Sequence, residues 1–124
     1  MGEIESLSKT LAKERGTTMA TFLLLYTGGR MPESEAETAQ VMQAWQAWFG
    51  ELGSNLVDAG NPFTPQAKSI SSDRKVSDGS VGTQASGYSI IKADSLDAAV
   101  AIARECPVTQ GGAKITVYET FPVM

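Results

Sequence analysis

The sequence predicts an α+β domain, an antiparallel sheet with two helices on one face. Three observations predict it. A β-rich run at residues 21–27 gives way to a long helical stripe, and a second run at 87–92 changes within two residues into an Ala-rich helical pattern ending near Ala103. A final alternating run, 114–121, closes the chain as a strand.

Size and charge bound what such a domain can do. A chain of 124 residues is one domain by length and buries roughly two thirds of its unfolded surface. With 42% hydrophobic and 19% charged residues the composition is that of a globular protein rather than a disordered or membrane one. The longest apolar run, around 22–26, is too short to span a bilayer, so no membrane partner is expected. A net charge of −4 without a basic cluster argues against nucleic acid. The lone cysteine, Cys106, and an N-terminus with no apolar signal segment favour a reducing, cytoplasmic location. The chain has no histidine, which removes the commonest general base near neutral pH and the commonest transition-metal ligand. No metal spacing stands out and no cofactor is expected.

Residues 1–18 read as an accessory segment and 19–124 as the domain. Ile4, Leu7 and Leu11 recur at helical spacing before Gly16, a short amphipathic helix that needs a surface to dock on. The first six residues also satisfy the loose myristoylation pattern, one that short sequences often match by accident. In strand 21–27, Phe22, Leu24 and Tyr26 share one face and Leu23 and Leu25 the other, so both faces are apolar and both need a cover. Helices supply one cover, and the sheet of a second subunit is the simplest source of the other.

Gly28-Gly29-Arg30 forms the connecting loop, and Pro32 suits the first turn of a helix running to about Gly53, with Glu33, Glu35 and Glu37 at its positive end. Val41, Trp45, Trp48, Phe49, Leu52 and Leu56 make its apolar stripe. The two tryptophans fit core packing better than a binding cage. Residues 55–63 read as a second strand broken by Gly60 and Pro62, which 67–72 resumes, with 73–82 as a hairpin tip. Asp94 or Ser95 caps the helix after the 87–92 strand. Leu96, Ala99, Val100 and Ala103 face inward there, and Cys106-Pro107 marks the end. In the last strand Ile115, Val117 and Phe121 oppose Thr116, Tyr118 and Thr120.

The order strand, helix, strand with hairpin, strand, helix, strand is that of a ferredoxin-like βαββαβ subunit. Its uncovered face is expected to carry Leu23, Leu25, Ser89, Ile91, Thr116 and Tyr118, or their alternates after a one-residue slip. Two such faces meeting would build a dimeric α/β-barrel assembly, a homodimer.

Residues 22–26, Trp45 and Trp48, the run Leu56-Val57-Asp58-Ala59-Gly60-Asn61-Pro62-Phe63, then 87–91 with 93–99, and Val117-Tyr118-Glu119 together resemble the YCII-related (DGPF-type) family over about residues 20–124. The resemblance implies a ferredoxin-like subunit, dimerisation through the sheets and a bacterial cytoplasmic setting. It implies little chemistry. Asp78-Gly79 begins the DGPF motif, but Ser80-Val81 stands where Pro-Phe would follow. Relatives that resemble this subgroup carry a histidine where this chain has Cys106, so no role of that imidazole transfers.

Candidate groups for function remain few. Asp58, in an apolar strand, reads either as a general base or as a strand-end carboxylate bound to backbone amides. Tyr118 is the second candidate for proton transfer. Tyr26, Tyr88 and Arg30 are candidates for ligand binding: the tyrosines as pocket or interface side chains, Arg30 as an anion partner or part of a plain turn. Cys106 reads as a structural thiol, since a helix C-terminus disfavours the thiolate. Two functions follow: a homodimer that binds a small organic molecule, with cofactor-free enzyme chemistry open to it, or a non-catalytic scaffold whose interface is filled by side chains.

Overall fold

β1 (Ala20–Thr27) lies inside a four-stranded sheet, with antiparallel partners on both edges. The computed structural model describes residues 19–123; the helix and the lipidation pattern expected in 1–18 lie outside them. After β1 come α1 (Glu35–Leu52), β2 (Leu56–Asp58), a hairpin of β3 (Lys68–Ile70) and β4 (Val76–Asp78), β5 (Ala85–Ala93), α2 (Leu96–Arg104) and β6 (Lys114–Glu119). The sheet order is β2-β5-β1-β6. β1 and β2 both run antiparallel to β5, and so parallel to each other with β5 between; β5 and β6 flank β1 in the same way. Two split β-α-β units are thereby interleaved, an α+β arrangement compatible with the ferredoxin-like fold.

Both helices start on a serine. Ser34 Oγ accepts from the Glu37 amide at 3.0 Å and Ser95 Oγ from the Ala98 amide at 3.0 Å, each bond stabilising its helix by about 1 kcal/mol. Pro32 therefore sits two residues before the cap of α1, not in its first turn. Of the two cap candidates before α2, Ser95 takes the role.

The helices cover one face of the sheet. Phe22, Leu24 and Tyr26 point into that layer, with Trp48, Leu52, Ile91, Ala99 and Ala103. Trp48 Nε1 donates to the Ile102 carbonyl at 3.4 Å and ties the two helices together. α2 turns Ala99 and Ala103 inward, whereas Leu96 and Val100 stay 38% and 40% exposed, contrary to the expected inward set. Alanines bring the helix axis close to the sheet, and the larger side chains then flank the contact.

The register corrects the uncovered face. Phe22 opposes Ile91 and Leu24 opposes Ser89, so Ser89 and Ile91 lie in the core and Tyr88, Ile90 and Lys92 lie outside with Leu23, Leu25, Thr116 and Tyr118. A slip of one residue exchanges every side chain between faces. Here the buried Tyr26 hydroxyl is paired with the small hydroxyl of Ser89.

Residues 67–72 do not resume β2. They pair with β4 as a separate two-stranded ribbon, turning at Ser71–Lys75, where Arg74 adopts φ 71°. The tip thus comes earlier than the expected 73–82, because the Asp73 carboxylate accepts from the Lys75 amide at 3.1 Å and closes a tight turn there.

Candidate functional site

The break after β2 builds the site. Asp58 Oδ1 accepts from the Gly60 amide at 2.8 Å, an Asx turn that bends the chain out of the strand. Gly60 has φ +74°, and a Cβ there would stand 1.7 Å from the Tyr88 carbonyl oxygen, so only glycine lets this loop lie directly on β5. The loop then runs along the edge of the sheet: Pro62 bridges to Gly87, and the Phe63 amide donates to the Ser86 carbonyl at 2.8 Å.

Between this loop, the sheet and α1 is a cavity of about 290 Å³. Trp45 and Phe49 form its aromatic wall, with ring centroids 5.4 Å apart, and Tyr26 meets Trp45 edge-on at 5.7 Å. Met42 and Val108 add apolar surface. Gly87 leaves the space open on the sheet side: a Cβ there would approach Asn61 O at 3.1 Å and the Tyr26 ring at 3.4 Å. Among the described residues, no charged one lines it.

Its floor is polar. Tyr26 Oη donates to Ser89 Oγ at 2.8 Å, Ser89 Oγ donates to the Ala59 carbonyl at 2.8 Å, and Cys106 Sγ donates to Tyr26 Oη at 3.8 Å. Burial pushes the Tyr26 phenol well above its ordinary value, against the opposing pull of the Ser89 bond. Burial likewise pushes up the Cys106 thiol. Both groups are neutral at physiological pH.

Larger hollows lie elsewhere. One of about 590 Å³ follows residues 32–39, and one of about 430 Å³ lies beside Arg30, Glu37 and Gln110; both are surface grooves. In the second, the Arg30 guanidinium is already paired with Glu37 at 2.6 Å.

The five candidates from the sequence therefore do not converge. Tyr26 is in the cavity. Tyr88 borders it, but its ring stacks on Phe63 with centroids 5.8 Å apart and its hydroxyl donates to Asp58 Oδ2 at 3.3 Å. Asp58 is exposed and holds the Gly60 turn, the backbone-bound arrangement of the two open to it. Tyr118 is half exposed on the uncovered face, across from Leu23, and Arg30 stands apart near the start of α1. The three tyrosines are split between the two faces of the sheet and form no common pocket.

Ser89, Trp45, Phe49 and Gly87 were not among those candidates. Trp45 and Phe49 carried a signal in their i, i+4 spacing on the α1 stripe, but nothing local separates them from Trp48, which is core. Cys106 is buried, as expected of a structural thiol. Among the described residues no helix is long and apolar enough to cross a membrane, and no three His, Cys, Asp or Glu side chains are grouped to hold a metal ion. No model of a known protein family matches the chain, and no curated protein matches it.

Proposed function

We propose that the protein binds a small, neutral organic molecule in the cavity between α1 and the 59–62 loop, and does so as a homodimer. The observation that carries this reading is the cavity itself: an aromatic wall and, among the described residues, no charged lining side chain, in about 290 Å³. That volume is near the lower end of small-molecule sites. At about 30 Å³ per water-sized group it admits on the order of ten non-hydrogen atoms.

The homodimer is the fate proposed for the open sheet face. Leu23, Leu25 and Ile90 are only half-buried there, and Tyr118 is 50% exposed. Two such faces packed together form the dimeric α/β-barrel assembly of ferredoxin-like subunits, which is what the resemblance to the YCII-related family implies. Asp58, Tyr88 and Tyr118 then belong to the interface and the cavity to each subunit separately. A cytoplasmic setting belongs to the same reading. A purely structural scaffold needs no cavity, and for that reason ligand binding is preferred to it.

The test is a thermal-shift screen of small aromatic and heteroaromatic fragments against the full chain. A ligand at about a hundred times its Kd stabilises the fold by about 2.7 kcal/mol. A broad library without a single saturable stabiliser refutes ligand binding. For the assembly, solution mass should show a dimer at micromolar concentration and a monomer for Leu25→Glu; a wild-type monomer refutes it.

A further inference from the structure

The β3–β4 ribbon buries almost nothing of its own. Between Lys68 and Gln84 only Ser69 and Gly79 are even half-buried. Ile70 lies directly opposite Val76, which sets both side chains on one face, and there they are 70% and 61% exposed. A two-stranded hairpin by itself is marginal in water and gains its stability by packing an apolar face on something else. This ribbon is nevertheless built to keep its shape. Ser69 Oγ donates to the Gly79 carbonyl at 2.6 Å, the Gly79 amide to the Ala67 carbonyl at 2.9 Å, and Gln84 Nε2 to the Pro65 carbonyl at 3.0 Å.

Its charges cancel locally. Lys68 pairs with Asp78 at 2.6 Å and Lys75 with Asp73 at 4.0 Å, so the ribbon presents no field of one sign to a polyanion or a charged membrane surface. What it offers is the apolar pair. Its base adjoins the uncovered face of the sheet, because the Phe63 ring stacks on Tyr88, which lies on that face, with centroids 5.8 Å apart. That face is small for a dimer. Strands of 3, 9, 8 and 6 residues, at about 4.8 Å between strands and about 3.3 Å per residue, give it roughly 400 Å² in plan, or about 800 Å² for two copies. A specific, stable interface buries about 1,200–2,000 Å². The sheets alone fall short of that.

We propose that the ribbon is a dimerisation arm: each subunit lays Ile70 and Val76 on a second copy of the chain, beyond the edge of the sheet-to-sheet contact. This rests on the reading of the protein as a homodimer through its open sheet face. Two arms supply apolar area toward the difference, and their occupant is a second copy because the arm springs from the border of the face that copy covers. The tethered base pre-organises the arm, so docking it orders little chain.

The test is sedimentation equilibrium of the full wild-type chain beside Ile70→Thr/Val76→Thr, in which threonine keeps the strand preference and removes apolar surface. The dimer Kd of the double variant is expected to rise about a hundredfold, since a symmetric dimer loses each contact twice. A rise of less than about threefold overturns the arm while leaving the sheet dimer standing. A wild-type chain that stays monomeric at hundreds of micromolar overturns both. A photo-crosslinking side chain placed at position 70 of the otherwise wild-type chain gives a second readout, which decides if the double variant does not fold. Illumination should yield covalent dimers; crosslinks confined to single chains, in a sample that sediments as dimer, overturn the proposal.

Discussion

Replacing Gly60 by alanine tests whether the 59–62 loop is held where the cavity requires it. Two costs add. A left-handed backbone costs a non-glycine residue about 1–2 kcal/mol, and Gly60 has φ +74°. The new Cβ would also stand 1.7 Å from Tyr88 O, where real contacts do not fall under 3.0 Å, so the loop must lift off β5. Lifting it strains the bond from Ser89 to Ala59 O at 2.8 Å and the Pro62–Gly87 bridge, at about 1 kcal/mol each. The sum is about 3–4 kcal/mol. For a domain near this size that lowers Tm by roughly 12 °C or more.

Gly28 provides the control, with φ +75° and nothing within 4 Å of its added Cβ. Gly28→Ala should therefore cost only the backbone part, about 1–2 kcal/mol. Urea unfolding of both variants separates the two contributions. Gly60→Ala should exceed Gly28→Ala by about 2 kcal/mol and should weaken binding of any cavity probe. A difference below about 0.5 kcal/mol, within the range of ordinary surface substitutions, would show that the loop is free to move and that the contact with Tyr88 does not hold the site.

Two further outcomes are expected. Tyr26 and Cys106 keep their protons in the fold above the ordinary values of 10.0 and 9.0, so the unfolded chain releases protons first as pH rises. Stability should then be level below about pH 8.5 and fall above it, with a slope flattened in Tyr26→Phe/Cys106→Ala; urea midpoints that do not fall between about pH 8 and 10.5 would contradict this. At Asp58, asparagine retains an oxygen for the Gly60 amide and should be neutral within about 0.5 kcal/mol, whereas alanine loses the Asx bond at about 1 kcal/mol. Equal unfolding midpoints for Asp58→Asn and Asp58→Ala would remove the turn role.

Much of the fold was legible because its signals are local. Ser95 marks a helix start within three residues of the amide it binds, and Gly60 and Pro62 break β2 through their own backbone constraints. The doubly apolar β1 required covers on both faces whatever its partners were, and helices do cover Phe22, Leu24 and Tyr26. The break in the second strand was equally plain, though not that the loop it frees would wall a cavity.

The choices left open depend on distant pairings. In 88–91, Tyr-Ser-Ile-Ile, either parity offers one apolar side chain and one hydroxyl, so alternation alone leaves the face of β5 undecided. Tertiary structure decides it through Tyr26, whose buried hydroxyl finds Ser89, 63 residues away in sequence. The hairpin detaches from the sheet because Ser69 and Ile70 pair with Ser77 and Val76, a choice of partner that strand propensity does not encode. The cavity is still less visible, since its wall comes from α1, its edge from a glycine-dependent loop and its remaining side from Tyr26 and Ser89 on two different strands. By itself the sequence determined which segments become strands and helices and which faces must be hidden, because those depend on a few neighbouring residues. Only the tertiary structure decided which side of β5 is inside and which hydroxyls meet, because register is set by pairing energies summed across the sheet.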